Sequence, residues 1–285
     1  MKRIAFIFTV LCSAAVLFSC NNSSERKTES KAEEKKAEVP KPAALKEENI
    51  SYKIGKLTMD GYIVYDSSIQ GKRPAVLVVH EWWGLNDYAK SRARQLAELG
   101  YIAMAVDMYG NGRRADNPKD AEALAMPFYK DLPMAKKHFD AALATFRENA
   151  MVDSANIAGI GYCFGGGVLL NLTRMGEPLK GIGSFHGTMP FIPADKKLLT
   201  AKTLVCNGEL DTAFVPLKAI EAFKKQMDSI GAVYSFKNYP NALHAFSNPA
   251  ATEMGKKFNL PIAYNAAADT ASWNELKVFL KDLFK

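Results

Sequence analysis

The sequence predicts an α/β fold, a mostly parallel sheet flanked by helices, formed by one domain over residues 49–285. Three observations predict it. Short apolar runs alternate with amphipathic helical patterns. One run, Pro74 to Val79, is continuously apolar, as suits a strand buried on both faces. And Gly161-Tyr162-Cys163-Phe164-Gly165-Gly166-Gly167 lies between an apolar run and a helical pattern, the shape of a sharp strand–turn–helix elbow.

Taken in order, Ile50 to Ile54 and Leu57 to Tyr65 read as an opening antiparallel pair, followed by the strand Pro74 to Val79. Asn86 opens a helix over Asp87 to Glu98, which Gly100 ends. Tyr101 to Val106 is a strand, and Gly110 to Pro127 a polar loop and helix with the character of a lid or specificity segment. The amphipathic stretch Leu132 to Arg147 leads into the strand Asn156 to Ile160, the elbow, and a helix through Val168 to Leu172. Gly181 to Phe185 and Thr203 to Gly208 are strands, Pro216 to Ile230 a helix and Tyr234 to Tyr239 the last strand. An amphipathic helix over Ala263 to Phe284 closes the domain.

The elbow carries the chemistry. Its glycines leave room for one strained residue at the tip, here Cys163. The amides of the following helix favour a thiolate there. The competing reading is a small cysteine buried at a tight junction. The downstream order decides against it: Asp211 follows an apolar strand, and His244 lies on a loop after the next strand, giving the order nucleophile, acid, histidine. His244 would move the proton, and Asp211 would fix its tautomer; Glu209 competes for the acid role. His80-Glu81-Trp82-Trp83-Gly84 follows the first parallel strand. In an elbow architecture that loop supplies one oxyanion amide, assigned to Trp82, and the residue after the nucleophile, Phe164, supplies the other. Glu81 and Trp83 would line the pocket mouth. His186, at the carboxyl end of a strand, reads as a structural or surface histidine rather than a pocket residue, and His138 as solvated on its helix.

Before the domain, Met1-Lys2-Arg3 and the apolar run Ile4 to Phe18 make a signal peptide over residues 1–19. Leu17-Phe18-Ser19-Cys20 resembles a bacterial lipoprotein cleavage box, so Cys20 is the expected lipidation site and the membrane a partner through that anchor. Residues 20–48 are rich in Lys, Glu, Ser and Ala and read as a charged, disordered spacer. The expected place is the bacterial cell envelope, facing the periplasm. Of the four cysteines, Cys12 falls in the leader and Cys206 in an apolar strand, which leaves no pair for a disulfide framework. Removing Lys2 and Arg3 leaves 35 basic and 30 acidic residues, a modest excess with no basic stripe of interleaved aromatics that would suit nucleic acid. No metal-ligand spacing occurs.

Together these pieces resemble the dienelactone hydrolase family of α/β-hydrolases, from about Ile50 to Phe284. The resemblance rests on His80-Glu81-Trp82-Trp83-Gly84, on Asn86-Asp87, on Asp107-Met108-Tyr109-Gly110, on the Gly-Tyr-Cys-Phe-Gly-Gly elbow, and on Asp211 and His244. It implies a cofactor-free, metal-free hydrolase of ester or lactone bonds, with a small-molecule substrate and a Cys163–His244–Asp211 triad. It further implies that Glu81 pairs with the resting thiol and that Tyr109 stands near the substrate. Two arginines that hold the substrate carboxylate in diene-lactone-cleaving members are missing at their places, where Gly110-Asn111 and Ala245 to Asn248 stand. Arg113 and Arg114 either replace them or form a solvated basic loop. The alternatives to ester or lactone hydrolysis are a non-catalytic binding lipoprotein on the same fold and a thiol acyltransferase or peptide hydrolase.

Overall fold

The computed structural model describes residues 42–285. The expected leader, Cys20 and most of the expected spacer lie outside the described residues. The sheet has eight strands in the order β1-β2-β4-β3-β5-β6-β7-β8. The antiparallel pair β1 (Leu45–Ile54) and β2 (Leu57–Asp66) forms one edge, and β2 pairs antiparallel with β4 (Ile102–Val106). From β4 onward all neighbours are parallel: β3 (Arg73–Val79), β5 (Val152–Tyr162), β6 (Gly181–Phe185), β7 (Lys202–Gly208) and β8 (Tyr234–Tyr239).

The central strand β3 shows why its sequence is apolar from Pro74 to Val79. Ala75, Leu77 and Val79 pack on one face with α2 (Pro118–Lys130), α3 (Leu132–Glu148), α4 (Phe164–Arg174) and α5 (Leu217–Ser229). Val76 and Val78 pack on the other face with α1 (Asp87–Glu98) and α7 (Ala266–Leu283). Side chains alternate across a strand, so a strand covered on both faces has no place for a polar residue.

Two expectations change. β1 begins at Leu45, four residues before the expected start of the domain. Lys46, Glu47 and Glu48 look like spacer, but on an edge strand such charges stay in water while the backbone pairs; Glu47 also meets Arg94 at 2.9 Å. The closing helix forms as expected, as α7, and a short helix that no expectation covered, α6 (Ala251–Phe258), precedes it. His138 is buried rather than solvated: its Nδ1 lies 2.8 Å from Met108 O and its ring meets Phe128 edge-on. It sits on the inward stripe of α3 with Ala135, Phe139 and Ala142.

The order places β3 between β4 and β5, so the connections from β3 and β5 leave in opposite directions. In an open α/β sheet the crevice at this switch point, outside the carboxyl ends of the strands, is where ligands bind. The His80–Gly84 loop and the Cys163 elbow both open there.

Candidate active site

Cys163 holds φ 51° and ψ −112°, a conformation that persists only where surrounding structure enforces it. Close packing supplies that enforcement. A Cβ on Gly161 would stand 2.3 Å from the Gly165 carbonyl, and one on Gly165 would stand 2.4 Å from Val79 O. Only glycine lets α4 begin this near to β3 and β5. Gly165 N also donates to His80 O at 3.1 Å, which ties the first turn of α4 to the end of β3. Cys163 is half-buried and lines a cavity of about 240 Å³.

The histidine and the acid arrive from two neighbouring loops. Gly208, at the end of β7, approaches the loop after β8 so closely that a Cβ there would stand 2.4 Å from Ala242 O. That approach sets His244 Nδ1 2.8 Å from Asp211 Oδ2, with both residues buried. Glu209 is exposed and accepts from Asn241 N, so Asp211 is the acid that meets His244. Nε2 of His244 has no hydrogen-bond partner among the described residues, and the ring lines the same cavity as Cys163. Burial disfavours charge on this imidazole, but the adjacent Cys163 and the bond to Asp211 outweigh it and push its pKa up to about 10.

Trp82 lines the cavity, and Phe164 opens α4 directly after Cys163. Neither backbone amide donates to a protein acceptor among the described residues. Glu81 is 2% exposed and lines the cavity too; its carboxylate accepts from Asn248 Nδ2 at 2.7 Å. Burial pushes its pKa up to about 7, against the lowering effect of Asn248, His244 and Arg92. Trp83 forms part of the wall, packed against Trp82. Tyr109 does not line the cavity: it is fully buried, and its hydroxyl donates to Trp82 O at 2.9 Å. It therefore braces the His80–Gly84 loop instead of lining the cavity, because the Asp107 carboxylate, accepting from Tyr109 N and Gly110 N at 2.9 Å, turns the chain inward after β4.

Several lining residues escaped sequence reasoning. Ala125 and Met126, within the segment Gly110 to Pro127, and Tyr129, beyond it, come from α2; Phe214, Leu260 and Ile262 come from later loops. For the α2 residues a helical apolar pattern was the only signal, and it does not separate a cavity wall from a core; the loop residues gave none. His186 is buried, as a structural histidine, but it touches the elbow: Cys163 N donates to Phe185 O at 3.0 Å and to His186 Nδ1 at 3.1 Å. His186 Nε2 lies 2.8 Å from Ser247 Oγ, which in turn meets Tyr88 OH at 2.7 Å. Among the described residues no group of three or more His, Cys, Asp or Glu is placed to hold a metal ion.

Residues 59–284 match the model of the dienelactone hydrolase family. The chain belongs to the dienelactone hydrolase family. As a member it is a hydrolase acting on ester or lactone bonds of a small-molecule substrate. The fold agrees with the crystal structure of a dienelactone hydrolase-like promiscuous phosphotriesterase from metagenomic libraries, with a TM-score of 0.80 and 32% identity over 85% of this chain and 100% of that one. A protein of Saccharolobus solfataricus named "Putative carboxymethylenebutenolidase" is 27% identical over 74% of this chain and 90% of its own length. A protein of Methylorubrum extorquens with the same name is 27% identical over 62% of this chain. The match spans 64% of that relative's length.

Proposed function

We propose that this dienelactone hydrolase-family chain cleaves its ester or lactone with Cys163 as nucleophile, His244 as proton carrier and Asp211 as orienting acid. The observation that supports this most is convergence on one cavity: Cys163 in its strained elbow and His244, whose other ring nitrogen is bonded to buried Asp211.

In this reading Cys163 and His244 are the reacting pair, and His244 takes the thiol proton as substrate binds, in keeping with the raised pKa of the histidine. The sulfur attacks the carbonyl carbon, and the displaced electron pair settles on oxygen, where the Phe164 and Trp82 amides donate to it. Collapse breaks the bond to the leaving oxygen, which takes the proton from His244 Nε2, and a thioester remains. His244 then accepts a proton from water as the hydroxide adds to the thioester carbonyl. Expulsion of the thiolate releases the acid and restores the pair. Glu81, a buried carboxyl lining the same cavity, is the group that pairs with the resting thiol, and Trp83 is a wall against which substrate packs.

The envelope placement belongs to the same proposal: residues 1–19 as leader, Cys20 as the lipidated residue, and a spacer that ends where β1 begins. Its support is the apolar leader followed by Leu17-Phe18-Ser19-Cys20 and the charged stretch behind it. Labelled palmitate should enter the wild-type protein and not Cys20→Ala, which should leave the membrane fraction.

The decisive experiment for the chemistry is turnover of a panel of p-nitrophenyl esters and small lactones by wild type and Cys163→Ala. Loss of turnover in a folded variant is the expected result. Equal turnover by the two proteins ends the mechanism.

A further inference from the structure

We infer that this cavity takes an uncharged substrate, an ester or lactone with an apolar acyl portion and no carboxylate of its own. The inference deepens the thiol-hydrolase reading and rests on it.

The walls argue for it first. Trp83, Met126, Phe214, Leu260 and Ile262 present apolar surface around Cys163. Besides Cys163 and His244, the ionisable side chains lining the cavity are Glu81, Glu122 and Tyr129. Two of these are acids: Glu81 is buried, and Glu122 is exposed, on α2. None of the described lining residues is Lys or Arg.

The cations that sequence brings near are committed elsewhere. The Arg113 guanidinium donates to Tyr109 O and Gly110 O. Arg114 lines a separate surface depression with Asp60 and Lys90. Arg92 is buried and donates to Ser247 O and Asp269. A carboxylate entering the cavity would lose water and meet the carboxyls of Glu81 and Glu122, with no Lys or Arg to receive it and His244 already bonded to Asp211. A neutral acyl chain loses only water from apolar surface, which is favourable. The excess of basic residues in the sequence does not change this, since those charges do not line the cavity.

Two esters that differ by one group test the inference: p-nitrophenyl butanoate and p-nitrophenyl hemisuccinate, in which the terminal methyl is replaced by a carboxylate. After subtraction of spontaneous hydrolysis, wild type should favour butanoate in kcat/KM by at least about 100-fold, the scale expected when a charge goes unpaired in a buried site. Glu122→Lys should narrow that ratio. Hemisuccinate turned over within about threefold of butanoate, with both lost in Cys163→Ala, overturns the inference and leaves the thiol mechanism standing. Turnover that survives in Cys163→Ala, or no turnover of either ester, removes the mechanism and the inference with it.

Discussion

Cys163 N lies 3.1 Å from His186 Nδ1, so the strained elbow is tied from behind by a buried histidine that does not line the cavity. That nitrogen must be unprotonated to accept, which leaves Nε2 to donate to Ser247 Oγ. Burial, with the charges of His244 and Arg92 adding to it, holds the His186 pKa well below the usual value and keeps the ring neutral. In the proposed mechanism His186 is thus a positioning residue for Cys163. His186→Phe should lower kcat by roughly 10–100-fold with little change in KM, the scale of a small misplacement of a reacting group. His186→Gln, which keeps an acceptor and a donor, should recover part of the loss. Equal kcat in wild type and His186→Phe would remove the role.

The Asp211–His244 bond makes a second expectation. Asp211→Asn keeps the shape but disfavours the tautomer that presents Nε2 correctly, so kcat should fall by roughly 10²–10⁴-fold. Alkylation of Cys163 by iodoacetamide should slow in parallel, while Cys206, fully buried with its pKa pushed up to about 12, stays inert in both proteins. An unchanged alkylation rate would separate Asp211 from thiol activation.

Glu81 sets a pH dependence of stability. Its folded pKa of about 7 lies above its ordinary value of 4.5. The folded state therefore binds the proton more tightly, and stability is full at low pH and falls as pH rises from about 4.5 to 7. The loss approaches about 3 kcal/mol, at 1.36 kcal/mol per unit. Glu81→Gln keeps an oxygen for Asn248 and carries no such charge. In urea melts it should be more stable than wild type at pH 8 and similar to it at pH 5. Parallel pH profiles for the two proteins would show that Glu81 is not the titrating group.

Gly165→Ala should destabilise the fold by at least about 2 kcal/mol, as overpacking against fixed atoms does. Its Cβ would stand 2.4 Å from Val79 O and 2.8 Å from His80 O, both backbone, so no rotamer can move away. A Tm equal to wild type would mean that α4 shifts freely.

Phe214 and Thr188 line both the Cys163 cavity and a second depression bounded by Met189, Phe191 and Phe223. Phe214→Ala should join the two and raise kcat/KM for octanoate relative to butanoate esters by about tenfold or more, as extra methylenes find an apolar place. An unaltered chain-length profile would show that the partition lies elsewhere.

The helix Asp87–Glu98 and the strands Gly181–Phe185 and Tyr234–Tyr239 were legible to the residue, because Asn86 caps the helix and turn residues bound the strands. The elbow was legible because its glycines are required locally, and the chain order of Cys163, Asp211 and His244 follows from which strands they terminate. The start of β1 at Leu45 was hidden, since an edge strand can carry the same charged residues as a solvated spacer. The burial of His138 was hidden because a histidine on a helix gives no sign of which neighbours cover it.

What the sequence determined by itself is the alternation of strands and helices, the elbow and the chain order of Cys163, Asp211 and His244, all of which depend on periodicity and turn chemistry within a few residues. What the tertiary structure decided is which side chains share one space. Glu81 and Asn248 stand 167 positions apart in the chain yet meet at 2.7 Å, and His186 reaches Cys163 only because β6 pairs beside β5. Such meetings depend on strand order and on how closely glycine lets backbones approach, and those distances are fixed only when the whole sheet is assembled.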